Sequence, residues 1–116
     1  MRILLLLYAF AFIVRFVLAL GFPDPAYPDS YYYVDVGRAL ANGQGFNVDF
    51  IWVFGEVGGR IPDNPVLPVP SNAHWLPLSS VIQAAFQVVL GQSALAAALP
   101  LILIGSLVAP LVWLIG

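Results

Sequence analysis

The residues with the greatest capacity for chemistry fall in one stretch, Tyr27 to Phe46, reading Y-P-D-S-Y-Y-Y-V-D-V-G-R-A-L-A-N-G-Q-G-F. Asp29, Asp35 and Arg38 stand there beside Tyr31, Tyr32 and Tyr33. A carboxylate flanked by aromatic rings can be partly desolvated, a setting suited to acid–base work. The same residues also suit an ordinary solvated helix, with Asp29 or Ser30 as its N-cap and Asp35 paired with Arg38 one turn on. Glu56 and His74 lie further along. With Asp29 they could contribute ligands to a divalent metal, although the sequence requires no such cofactor. Gly43-Gln44-Gly45 is a helix stop and not a phosphate loop, because no strand–loop–helix with a lysine follows it.

Composition narrows the classes these residues can serve. Of 116 residues, 61% are hydrophobic and 9% charged, and the mean hydropathy is +0.94. A soluble domain carries roughly a quarter charged residues, so the chain reads as a membrane protein. Four arginines without lysine make no nucleic-acid patch. The absence of cysteine excludes disulfides, thiolate metal sites and thiol catalysis, and one histidine excludes an H-E-x-x-H metalloprotease.

The elements that must position the stretch are apolar runs. Residues 3–22 form the first, long enough at ~1.5 Å per residue to cross a ~30 Å bilayer core. Its single charge, Arg15, costs about 3 kcal/mol at mid-span, whereas its fourteen Leu, Ile, Phe and Val residues return roughly 4 to 8. Insertion wins, and Arg15 can snorkel outward, meet a lipid phosphate or pair with a loop acid. A secretory signal peptide is the rival reading; against it stand the interruption at Arg15 and the lack of an A-x-A site after Leu20. Arg2 at the short N-terminal end places that end in the cytoplasm. Residues 23–73 then form a large extracytoplasmic loop holding all six acids (Asp24, Asp29, Asp35, Asp49, Glu56, Asp63).

Within the loop, Pro23-Asp24-Pro25 and Tyr27-Pro28 stop the first helix. A helix is predicted over 30–42, with Gly43 as its stop. Tyr32, Val36, Ala39 and Leu40 share one face; Asp35, Arg38 and Asn42 share another. Such a helix would lie along the membrane surface, aromatic side down. Residues 48–54 suit a short strand or a second interfacial segment. Pro77 near the first turn opens a helix over 75–90, extended at the interface by Trp75, with Ser79, Ser80, Gln83 and Gln87 as a polar stripe for helix packing. Ser93 caps a helix over 94–115 that Pro100, Gly105 and Pro110 can kink. The expected fold is an all-α membrane protein: three transmembrane helices and one outward loop bearing an interfacial helix, as a single N-terminal membrane region.

A first helix with a late arginine, then D-S-Y-Y-Y-V-D-V-G-R-A-L-A-N-G-Q-G-F, then H-W-L-P-L and a G-Q-S-A-L-A-A-A-L-P turn, resembles the N-terminal region of the C-type membrane glycosyltransferases. The likeness is to the protein-mannosyltransferase-like group, glycosyltransferase family 39. The resemblance covers nearly the whole chain. It implies a multi-pass enzyme of the cytoplasmic membrane that moves a sugar from a polyprenyl-phosphate donor to a glycan, lipid or protein acceptor on the outer face, in the service of envelope glycosylation. Asp29 matches the family's acid before a Tyr-Tyr pair, implying a general base that takes the acceptor's hydroxyl proton. Arg15, Tyr32, Glu56 and His74 are the candidates for donor binding, His74 because the matching segment of the family points into the donor cavity. Relatives often carry a second acid where this chain has Ser30, and Asp35 or Glu56 would have to replace it. The relatives are also longer, so the chain reads as the N-terminal piece of a larger protein, inactive by itself. The contrasting reading is a non-catalytic small membrane protein or subunit whose aromatic loop binds a partner or lipid.

Overall fold

The computed structural model describes residues 1–52, 60, 63–71 and 75–116. The order is α1 (Arg2–Gly21), α2 (Pro28–Ala41), β1 (Asn47–Val48), β2 (Val69–Pro70), α3 (Leu78–Leu90), α4 (Ala94–Ser106) and α5 (Val108–Ile115). The fold is mostly helical, with one minimal antiparallel ribbon pairing Asn47 with Pro70 and Val48 with Val69.

Element ends follow local chemistry. α2 begins two residues before the expected start: Pro28 occupies its first turn, and extended Tyr27, not Asp29 or Ser30, is the N-cap. Proline is pre-set for that position, since its φ is already helical and the missing N–H would have had no partner there. The other end closes as a Schellman turn, with Gln44 N–H donating to Ala39 O (2.9 Å) and Gly43 N–H to Leu40 O (3.0 Å). Gly43 adopts φ +72°, which a residue with a Cβ rarely takes. α3 starts at Leu78 instead of residue 75, after an N-cap Pro77. Ser93 caps α4 as expected, its Oγ accepting from Ala96 N–H at 3.1 Å. The expected helix over 94–115 is two helices joined at Leu107. Pro110 offers no N–H to the Ser106 carbonyl, and a tighter turn, Leu107 N–H to Ile104 O, forms instead.

Two of these helices are long and apolar enough to cross a membrane: Arg2–Gly21 and the near-continuous Ala94–Ile115. They run antiparallel. Arg15 lies beside Gly105, Ala19 and Phe22 share a cleft with Ala98 and Leu101, and Asp24 and Pro25 share one with Ala94. The third expected span, α3, has 13 residues, about 20 Å of helix against the ~30 Å a bilayer core needs.

α3 packs instead against α2, and its polar stripe lies at that contact. Ser80, Gln83 and Gln87 are all buried, and Ser80 Oγ donates to Tyr33 O at 3.1 Å. The two helices run side by side in the same direction, from Tyr33 beside Ser80 to Asn42 hydrogen-bonded to Gln92. α2 therefore does not turn its aromatic side to a membrane. Tyr32 and Val36 face inward with Val48, and Phe50, Val69 and Trp75 pack over them. Protein covers that face because the ribbon and Trp75 fold back onto it.

Candidate functional site

The end of α1, the first turns of α2, α3 and the start of α4 meet around a cleft of about 360 Å³. Asp24, in a bend between two prolines, is exposed and stands at the rim of the cleft. Successive helical residues are turned by about 100°, so α2 presents Ser30 and Tyr33 to the cleft while Asp29 is exposed. α3 contributes Ser79 and Gln83. Gln83 is 2% exposed, and its Oε1, like both amide atoms of Gln87, has no hydrogen-bond partner among the described residues.

Asp29 stands in the first turn of α2 and makes no capping bond. Its carboxylate there favours the positive end of the helix dipole. On the other side of it, Pro28 and Tyr31 line a second groove with Phe50 and Trp52, about 400 Å³ and almost wholly apolar. Asp29 thus projects to solvent from the face of α2 between these two clefts and lines neither. The tyrosines expected to desolvate it do something else: Tyr32 and Tyr33 turn into the protein, and Tyr31 is 52% exposed.

The remaining predicted residues scatter. Tyr32 is 3% exposed; its ring sits 4.6 Å from that of Trp75 and 6.3 Å from that of Phe50, so it is committed to packing. Arg15 is exposed on α1, one turn deeper than Ala19. Its Nη1 donates to Ala11 O at 3.4 Å, and among the described residues no carboxylate pairs with it. Asp35 is held at both oxygens: Arg38 Nη1 lies 3.5 Å from Oδ1, and Asp49 N–H donates to Oδ2 at 2.6 Å. That carboxylate is a structural tie and is not at the cleft. Glu56 and His74 lie outside the described residues. Among the described residues no three His, Asp or Glu side chains gather in a way that could hold a metal ion.

Sequence reasoning passed over Asp24, read only as part of a helix-ending turn, and took Gln83 as a packing contact. The signal for the first was its bracketing by two prolines. The signal for the second was the spacing of Ser79 and Gln83, one turn apart on a single face. Comparison of the chain with family models, with curated proteins and with solved structures finds no match. Fold and site define a mostly helical protein with two helices long and apolar enough to span a membrane, joined through α2, a two-residue ribbon and α3.

Proposed function

We propose that this chain is the N-terminal part of an integral-membrane glycosyltransferase that moves a sugar from a polyprenyl-phosphate donor to an acceptor on the outer face of the cytoplasmic membrane. The observation that carries it is Asp29, an exposed carboxylate in the first turn of α2, next to Pro28 of the apolar groove and Ser30 of the cleft, at the end where both long helices meet. The order of motifs around it, similar to that of C-type glycosyltransferases, supplies the reaction.

With Arg2 inside, α1 runs outward and the α4–α5 pair returns inward. In an antiparallel pair of spans the end of α1 and the start of α4 lie on one side, and on this reading α3, packed on α2 between them, does not cross. Arg15 then lies about 9 Å below the outer end of α1 at ~1.5 Å per residue. A guanidinium at that depth reaches toward lipid phosphate, to which it can offer a planar fork of donors. In the transfer step the acceptor oxygen attacks the anomeric carbon and its proton passes to the Asp29 carboxylate. The bond from that carbon to the phosphate oxygen breaks, and the lipid phosphate leaves with the electron pair. Exposed Asp29 returns its proton to water.

The test is Asp29→Asn in the full-length protein. Loss of a general base costs typically 10²- to 10⁴-fold in rate, so transfer should fall at least 10²-fold with normal membrane insertion. Wild-type turnover by the variant would remove Asp29 as the base.

A further inference from the structure

The cleft at the four-helix junction has a chemistry of its own. A few polar groups stand in its mostly apolar lining: Asp24, the hydroxyls of Ser30 and Ser79, and Gln83, whose Oε1 is buried and has no partner among the described residues. No Arg, Lys or His is among the described residues that line it. Buried polar atoms are almost always paired, and one left without a partner points to a ligand or water that completes it. The rings of Tyr33 and Phe22 form part of the wall, a surface that suits C–H edges. At about 360 Å³ the cleft falls within the ~300–1,000 Å³ range of small-molecule pockets.

We propose that this cleft seats the sugar ring of the ligand and selects a neutral or amine-bearing ring over an anionic one. The assignment rests on the glycosyl-transfer reading for the ligand's identity; the selectivity comes from the cleft itself. Ring hydroxyls donate to Asp24 and Gln83, and the serines donate or accept as each hydroxyl requires. A carboxylate on the ring would face Asp24 with no cation among the described residues of this lining. Arg38 borders the adjoining cleft that Asp24 also lines, but it is paired with Asp35, and like charges at close quarters repel. The phosphate is sorted to the other end of the ligand, because Arg15, one turn deeper on α1, is the described cation nearest the cleft along that helix.

Binding, without acceptor and so without turnover, separates this from the transfer reaction. Three short-chain isoprenyl phosphates are titrated into the full-length protein in detergent: one bearing a neutral hexose, one its hexuronate, and one no sugar. The hexosyl lipid should bind at least ten-fold more tightly than the hexuronosyl lipid. Asp24→Asn should bring that ratio toward one by improving the hexuronate. Gln83→Leu keeps the side chain's size and removes the unpaired amide, so its thermal midpoint should hold or rise while hexosyl affinity falls several-fold, toward that of the sugar-free lipid. Equal binding of the two sugar lipids, or undiminished hexosyl binding by Gln83→Leu, overturns the assignment and leaves the transfer reading standing. If neither sugar lipid outbinds the sugar-free one, the cleft is not a sugar site, and Asp29→Asn alone then decides the reaction.

Discussion

Asp35 and Asp29 are both carboxylates on α2, and their surroundings separate their roles. Asp35 accepts a short hydrogen bond from Asp49 N–H, which ties α2 to the segment after β1. Its contact with Arg38 is longer, 3.5 Å, and the arginine side chain is 43% exposed. A charge-assisted bond to a backbone N–H contributes about 1.5–3 kcal/mol, whereas an exposed i, i+3 ion pair contributes ~0.5 kcal/mol or less. Asp35→Ala should therefore lower unfolding stability by about 2 kcal/mol and Arg38→Ala by less than ~0.5, measured as denaturation midpoints in the same detergent. Equal losses would show that the ion pair, and not the backbone tie, is what matters. The pairing of Asp35 with Arg38 was legible from their i, i+3 spacing. The bond to Asp49 was not, because the thirteen residues between them carry no local signal of their return.

At the scale of elements, the contact between α2 and α3 depends on Gly37. A Cβ built there would lie 2.8 Å from Gln87 Nε2, 3.3 Å from Ser80 O and 3.4 Å from Gln83 Cβ. The glutamine end can swing away, but a backbone oxygen and a Cβ move only with α3 itself. Alanine gains about 1 kcal/mol in helix propensity over glycine, against an overpacking cost of roughly 1–3. Gly37→Ala should be net destabilising by up to ~2 kcal/mol, and Gly37→Val more so, with protease sensitivity appearing between α2 and α3. A rise in midpoint for Gly37→Ala would mean that the two helices are free to separate. The polar stripe of α3 was visible from its spacing, and so was the grouping of Tyr32, Val36, Ala39 and Leu40 on one face of α2. What covered each was not visible, since a sequence shows that a face seeks cover without naming the surface that meets it. Trp75 shows the same limit: assigned to extend a helix at the interface, it folds onto Tyr32 instead.

For the whole molecule, the antiparallel alignment of α1 with α4–α5 decides more than any single residue. It brings Phe22 and Ala98 to the same level, and with both helices spanning, the turn at Gly91-Gln92-Ser93 must share a side with the loop after α2. Asn42 and Gln92 are in fact hydrogen-bonded to each other. These 116 residues contain no cysteine, so a cysteine introduced into them, in a background cleared of any others, reports on topology. Gln44→Cys and Gln92→Cys should both react with a membrane-impermeant maleimide added to intact cells. Protection of Gln92→Cys with labelling of Gln44→Cys would restore a three-span arrangement.

The sequence by itself determined the membrane-length apolar runs, the helical class, the stops at proline and glycine and the grouping of Tyr32, Val36, Ala39 and Leu40 on one face of α2. All are set by composition or by neighbours within a turn or two. Only the tertiary structure decided that two helices and not three have spanning length, that Tyr32 is core, and that Asp24 and Gln83 share a cleft with Ser30. Each of those depends on surfaces meeting across dozens of residues, where shape and burial, and not local propensity, fix the pairing.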